Sequence, residues 1–244
     1  MLLNCDLGES FGVWEMGLDS EVMPHIDMAN IACGFHGGDP SVLANTLELA
    51  KLHNVTIGAH PSYPDLQGFG RRSLNMSRQE LIHCVHYQIA AVEGMAKVAG
   101  VTLSYVKPHG ALYNDMMRDE HVLLTLIEAI SLYPSNLKLM ILATAQAEHH
   151  KSLAKQFGVT LIMEAFADRL YTDEGLLTPR SEAGAVHNEE KLIEQVQHLA
   201  RHCAVITAGG KTLQLPAQTL CVHGDNQAAI AQIKQIRAIL TDES

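Results

Sequence analysis

The sequence predicts an α/β fold, a (β/α) barrel carried as a single domain over residues 1–244. Three observations predict it. Short apolar runs alternate with longer amphipathic segments roughly seven times, close to the count of such a barrel though one short of eight. No linker or low-complexity stretch divides the chain, and ionisable residues gather just after the apolar runs. A doubly wound open sheet is the structural alternative compatible with the same rhythm.

The first run, "LLNCDL", reads as a buried strand, and "IDMANIAC" as a second one ended by glycines. Asp39 followed by Pro40 is a helix opening, cap then proline, and "SVLANTLELAKLH" has apolar residues at helical spacing. "VTIGAH" is the third strand. The loop "PSYPDLQGFGRRSLNM" leads to Ser77 and Glu80, a capping box for the helix "LIHCVHYQIAAVEGMAKVAG", which Gly100 closes. Then come the strand "LSYVKPH", a helical region to about Tyr133, the strand "KLMILA", the helix "AQAEHHKSLAKQFG" and the strand "VTLIMEAF". A polar loop, "ADRLYTDEGLLTPRSEAG", precedes the helix "NEEKLIEQVQHLARHC"; short strands and a turn follow, and "NQAAIAQIKQIRAIL" ends the chain as an amphipathic helix.

A hydrophobic content of 47% with 18% charged residues describes a folded chain with a sizeable core. The net charge of -10 leaves no basic stripe for a phosphate backbone, so a small molecule is expected as ligand rather than nucleic acid. With no run of membrane-span length and no basic flank leading into a signal-length apolar stretch, a cytoplasmic location without a membrane partner is expected. The five cysteines lack CxxC spacing, which suits reduced thiols. Cys33 near His36 could be a nucleophile, but an inert buried thiol is the more ordinary reading. "GGKT" at Gly209 to Thr212 imitates the end of a phosphate loop without its early glycine or its helix, and neither "GESFG" nor "GFGRR" is a dinucleotide fingerprint.

Asp6 and Glu9 follow the first strand, His36 and Asp39 the second, His60 and Asp65 the third. Lys107 and His109 follow "LSYV"; Glu164 lies within "LIMEAF", with Asp168 and Arg169 after it; His223 and Asp225 follow "LCV". Only "KLMILA" lacks such a group. In a parallel barrel these strand ends open onto one face, so the residues would meet in one pocket. Capping alone accounts for Asp39 and Asp225, which directly precede helices. Asp6 lies within an apolar run, where a charge needs a partner. Arg71 and Arg72 are read as solvated, and the helical histidines His83, His86, His149, His150, His198 and His202 as facing solvent.

Taken in order, "NCDLGESFG", "ANIACGFHGGDP", "GAHPSYPDLQGFGRR", "VKPHGALYN", "EAFADRLY", "PRSEAGA" and "VHGD" resemble the LamB/YcsF family, whose members are described as the A subunit of 5-oxoprolinase. The motifs cover nearly the whole chain. The resemblance implies a seven-stranded barrel similar to glycoside hydrolase and deacetylase barrels. It also implies ATP-dependent opening of 5-oxoproline to glutamate, in company with two partner subunits, B and C. Carried over by motif, the site residues are Asp6, Glu9, His36, His60, Asp65, Lys107, His109, Glu164, Asp168, Arg169, His223 and Asp225. Leu170 stands where relatives often have glycine, and Gly37 where they often have alanine.

A five-membered lactam is a resonance-stabilised amide that recloses readily, so opening it needs activation and a driving force. Phosphorylation of the lactam oxygen by ATP, followed by addition of water, departure of the protonated ring nitrogen and hydrolysis of an acyl phosphate, would supply both. Such a path needs a base, an acid and cations. Asp6 or Glu9 suits the base, His109 or His60 the acid, and Lys107 with Arg169 the clamp. Two alternatives stand beside it: a divalent metal on Asp6, His36 and His60 activating water for amide or ester hydrolysis, and a noncatalytic subunit that binds the lactam.

Overall fold

The computed structural model describes residues 1–223 and 227–242. Six parallel strands, β1 (Leu2–Leu7), β2 (Met28–Ala32), β3 (Thr56–His60), β4 (Leu103–Val106), β5 (Lys138–Leu142) and β6 (Leu161–Phe166), lie side by side in chain order. An antiparallel hairpin, β7 (Ala204–Ile206) and β8 (Thr212–Gln214), stays outside them. The last strand, β9 (Thr219–Val222), then pairs in parallel with both β6 and β1 and closes a seven-stranded barrel. Closure decides between the two architectures that the sequence rhythm allows. The open sheet is excluded.

The helical layer comprises α1 (Asp19–Val22), α2 (Pro40–Leu52), α3 (Arg78–Ala99), α4 (Gly110–Arg118), α5 (Glu120–Leu132), α6 (Ala147–Gln156), α7 (Glu189–His202) and α8 (Gln227–Asp242). Three boundaries form by the chemistry the sequence announces. Asp39 accepts from the amides of Ser41 and Val42, Ser77 and Glu80 make their reciprocal box, and Gly100 ends α3 with φ +76°. The helical region before Tyr133 consists of two helices. Asp119 breaks it in extended geometry, and its carboxylate caps α5 by accepting from the His121 amide at 2.9 Å. The four-residue α1 carries too little periodicity to be read in advance, and His150, expected at the surface, is buried on α6.

Strand parity sorts the side chains into two populations. One set, including Leu3, Ile31, Ile57, Val106, Ile141 and Met163, joins Leu47, Ile89, Leu126 and Ile233 of the helices in the main core. Each such side chain, when fully buried, contributes about 1.5–3 kcal/mol of transfer free energy. The other set points into the barrel. Met28, Tyr105, Met140 and Ile162 form a separate apolar plug nearer the strand starts. Gly58 makes room for it, since a Cβ there would overlap the Tyr105 ring. Above the plug, towards the strand ends, the interior turns polar.

Candidate active site

The inward positions of β1 are Asn4 and Asp6, and each is matched by polar neighbours across the barrel. Asn30 on β2 donates through Nδ2 to Asn4 Oδ1 and Asp6 Oδ1, both at 2.8 Å, and its own oxygen accepts from the Tyr105 hydroxyl at 2.7 Å. Asn4 donates to Thr219 Oγ1 at 2.9 Å. Lys107, one residue past β4, brings its Nζ to Asp6 Oδ1 at 2.9 Å and to Glu164 Oε1 at 2.7 Å. The Tyr113 hydroxyl on α4 donates to Glu164 Oε2 at 2.9 Å. Asp6 therefore has the partner that its position in an apolar run demands.

Lys107 and Glu164 are almost wholly enclosed, and a charge so placed survives only with compensation. Burial on its own would lower the Lys107 ammonium, but the carboxylates of Asp6 and Glu164 outweigh it and hold the group charged, well above its ordinary range. Burial would likewise raise the Asp6 carboxyl, and the charges of His60 and Lys107 overcome it, keeping the group well below the usual carboxylate range. Glu9 has less compensation. Burial pushes it up, only partly offset by His109.

Beside this triad sit three imidazoles. His60 ends β3, His109 immediately precedes α4, and His36 comes from the glycine-broken turn between β2 and α2. His36 and His109 stack with centroids 3.7 Å apart and planes within 2°, and His60 meets both edge-on. His36 Nε2 lies 3.2 Å from Glu9 Oε1, and His60 Nε2 lies 3.4 Å from Asp6 Oδ2. Gly37 lets that turn close on the first loop, because a Cβ there would stand 2.7 Å from the Glu9 carbonyl oxygen. Burial pushes His109 down, helped by His36 and His60; burial and His60 do the same to His36. Both rings are held neutral.

A cavity of about 330 Å³ opens over these groups, lined among others by Asp6, Glu9, His60, Lys107, His109 and Phe166. Its rim carries Arg71, Arg118, Arg169 and Arg180. Arg169 is held by the carbonyls of Thr178 and Ala185 in the arm that follows β6, and Leu170, despite standing where relatives often have glycine, needs no left-handed backbone there. Asp168 and His223 face each other at 3.0 Å. Against the opposing effect of burial, this contact lowers the carboxyl to about 2 and raises the imidazole. A larger depression of about 700 Å³ lies over α3, α4 and α5 and shares Arg118 with that cavity.

The structure thus brings Asp6, Glu9, His60, Lys107, His109, Arg169 and His223 to one cavity, with Glu164 beneath Lys107, His36 behind His109 and Asp168 beside His223. Asp65 is a correction. Its carboxylate pairs with Arg72 and accepts from the Gly68 amide, organising the loop after β3 rather than facing the cavity. That loop nevertheless serves the site, since the Phe69 carbonyl accepts from His109 Nε2 at 2.9 Å. Asp225 lies outside the described residues. Arg72, expected to be solvated, is the partner of Asp65, and Arg71 lies over the Phe69 ring. Cys33 is buried, which pushes its thiol far up, away from a nucleophile's range.

Sequence reasoning missed Asn4, Asn30, Tyr105 and Tyr113. The first two were within reach, since Asn4 shares the parity of Asp6 on β1 and Asn30 stands opposite Asp6 in the β1–β2 register. Tyr113 gave no such signal, because one helical turn beyond His109 an aromatic reads as core.

Residues 1–244 match the profile of the LamB/YcsF family. The chain belongs to the LamB/YcsF family. Among its relatives, the second 5-oxoprolinase A subunit of Pseudomonas putida is 55% identical over 98% of this chain and 93% of that protein. The 5-oxoprolinase A subunit of Vibrio cholerae is 53% identical over 98% and 97%. The crystal structure of the lactam utilization protein from Thermus thermophilus superposes with a TM-score of 0.89 at 35% identity, covering 99% of this chain and 96% of that one. These LamB/YcsF relatives match along nearly their whole length.

Proposed function

We propose that this LamB/YcsF chain binds 5-oxoproline and opens its lactam to L-glutamate as the A subunit of an ATP-dependent 5-oxoprolinase, working with partner subunits B and C. The observation that carries the reading is the buried Asp6–Lys107–Glu164 triad at the floor of a cavity near the lower end of the size range of small-molecule sites. The names of the relatives support it.

Opening a lactam develops negative charge on the carbonyl oxygen and leaves nitrogen in need of a proton. Lys107, fixed by two carboxylates and kept charged, is a preorganised cation for that oxygen. Asp6, ionised and half-turned to the cavity, accepts a proton from the attacking water. His109 is held neutral with its Nε2 hydrogen on the Phe69 carbonyl, so the proton that Asp6 takes from water is the one it returns to the leaving ring nitrogen. The arginines of the rim suit the substrate carboxylate.

ATP supplies activation of the lactam oxygen and the driving force in this reading. The described residues form no phosphate loop: Gly209 to Thr212 belong to the β7–β8 hairpin, where Lys211 pairs with Asp173 at 2.8 Å. In this reading ATP is bound by the assembled enzyme, a nucleotide site on this chain would be other than a phosphate loop, and ATP as cosubstrate suits a cytoplasmic location. Among the described residues no helix is long and apolar enough to cross a membrane.

The test is 5-oxoproline-stimulated phosphate release by this chain alone and then with both partners. Stimulation is expected only in the mixture, and Asp6→Asn should abolish it there. Full activity of Asp6→Asn in the mixture overturns the assignment. A second reading, amide hydrolysis by a metal-activated water, is favoured by the cluster of Glu9, His36, His60 and His109, whose ligand atoms all lie within 4.8 Å of one another. Ring opening that needs a metal and proceeds without ATP would select it.

A further inference from the structure

Two backbone carbonyls fix where the hydrogens sit on a pair of facing imidazoles. His60 Nδ1 is 2.7 Å from the Lys107 carbonyl oxygen, and His109 Nε2 is 2.9 Å from that of Phe69. A carbonyl oxygen only accepts, so both of those nitrogens carry hydrogen. The remaining nitrogens, His60 Nε2 and His109 Nδ1, then point at each other across 3.0 Å with their rings 86° apart. Two nitrogens so placed need a cation, a proton or a metal ion, to share, and Asp6 Oδ2 stands 3.4 Å from His60 Nε2. Both rings are buried, and water has no room between atoms at that distance.

Glu9 Oε1 adds a third donor, 3.5 Å from His109 Nδ1. Separations of 3.0 and 3.5 Å between donor atoms are those spanned by ligands bonded to one ion at about 2.0–2.1 Å. We infer that His60 Nε2, His109 Nδ1 and Glu9 Oε1 form a binding site for one first-row divalent ion of the zinc type. The carbonyls of Lys107 and Phe69 are the outer partners that orient the two imidazoles, an arrangement characteristic of histidine metal ligands. All three ligand residues line the cavity, so the ion keeps open positions towards it. Three protein ligands with an open side are the pattern of catalytic rather than structural sites.

His36 belongs to the cluster without being a ligand. Its ring is parallel to His109, and in-plane lone pairs on parallel rings 3.7 Å apart run side by side and cannot meet on one ion. It does not line the cavity, and its Nε2 is 3.2 Å from Glu9 Oε1. It is a positioning residue that backs His109 and steers Glu9. A second grouping, Asp6 with Cys221 and His223, is a poorer cation site, because the Lys107 ammonium stands 2.9 Å from Asp6 Oδ1 and 3.3 Å from Cys221 Sγ.

The inference does not depend on lactam chemistry. It is tested on the whole chain, stripped by a chelator and titrated with Zn²⁺ and with Co²⁺ by calorimetry and visible absorption. One equivalent of each is expected to bind, and His60→Gln, His109→Gln and Glu9→Gln should each weaken it at least tenfold to a hundredfold. His36→Phe, which keeps a stacked ring, should weaken it less than those three. Zinc-edge X-ray absorption of the wild type provides a readout independent of any variant's folding: two imidazoles with oxygen donors are expected. Substoichiometric binding, affinity unchanged in the two glutamine-for-histidine variants, or a sulfur ligand overturns the site.

Discussion

Lys107 sets the terms of the site at the scale of single residues. Replacing it by methionine leaves Asp6 and Glu164 facing each other in the barrel without their cation, and breaking a buried pair in this way costs about 3–5 kcal/mol. Lys107→Met should therefore lose both turnover and stability, and adding Glu164→Gln should recover part of the stability in denaturant titrations but none of the turnover. The Asp168–His223 pair makes a prediction in pH. His223 is raised in the folded chain, so its contribution is fully present below the unfolded value of about 6.5 and is lost as pH rises through the raised folded value. The melting-temperature advantage of wild type over Asp168→Asn should be largest near pH 5–6 and shrink in alkaline buffer; an advantage that grows with pH refutes the pairing. Charges such as Asp6, Lys107 and Glu164 were legible because apolar surroundings make an ionised group conspicuous. Neutral Asn4 and Asn30 were equally inside yet silent, since an amide in a strand raises no comparable question.

At the scale of elements, the alternation of strands and helices was legible apart from α1 and the break between α4 and α5, with ends that differ by a few residues, because periodicity and caps are local properties. Loops were not. Asp65 reads like its neighbours His60 and Lys107 in sequence, but the turn that aims its carboxylate at Gly68 and Arg72 depends on contacts no local pattern encodes. The same limit hid the arm after β6, whose shape rests on Arg169 bonding to Thr178 and Ala185 carbonyls. Strand interiors carry a sharper prediction. Gly58 is the inward position of β3 directly beneath His60, and a methyl there would press on the Tyr105 ring, which in turn holds Asn30. Gly58→Ala should cost about 1–3 kcal/mol of stability by overpacking. Because the displaced ring anchors the Asn30–Asp6 contact, turnover should fall as well, whereas Tyr105→Phe should keep the plug and lose only the hydroxyl's bond. Equal stability of Gly58→Ala and wild type in urea would contradict this.

At the scale of the molecule, everything the site needs is delivered by closure. β9 is the single strand that joins the last of the consecutive strands to the first, and its inward Thr219 and Cys221 meet Asn4 and Lys107 across the seam. Nothing in "TLCV" announces that it pairs with residues more than two hundred positions away, so the closure was expected from the count of units and not from the strand itself. The hairpin inserted just before it is a different kind of feature. Its ends are adjacent, the Leu215 amide donating to the Cys203 carbonyl at 2.7 Å, so the chain could pass from α7 to β9 without it. Two deletions separate these roles. Ending the chain at Gln218 strips β9 and α8, exposes unpaired edges on β1 and β6, and should abolish the cooperative thermal transition followed by circular dichroism. Joining Cys203 to Leu215 through two glycines should keep that transition at a lower midpoint, the loss falling on Ala204, Val205, Leu213 and the contacts that Thr207, Gly209 and Lys211 make with Asp173. If the hairpin deletion unfolds the chain as thoroughly as the truncation, closure is not the separable step that the strand order implies.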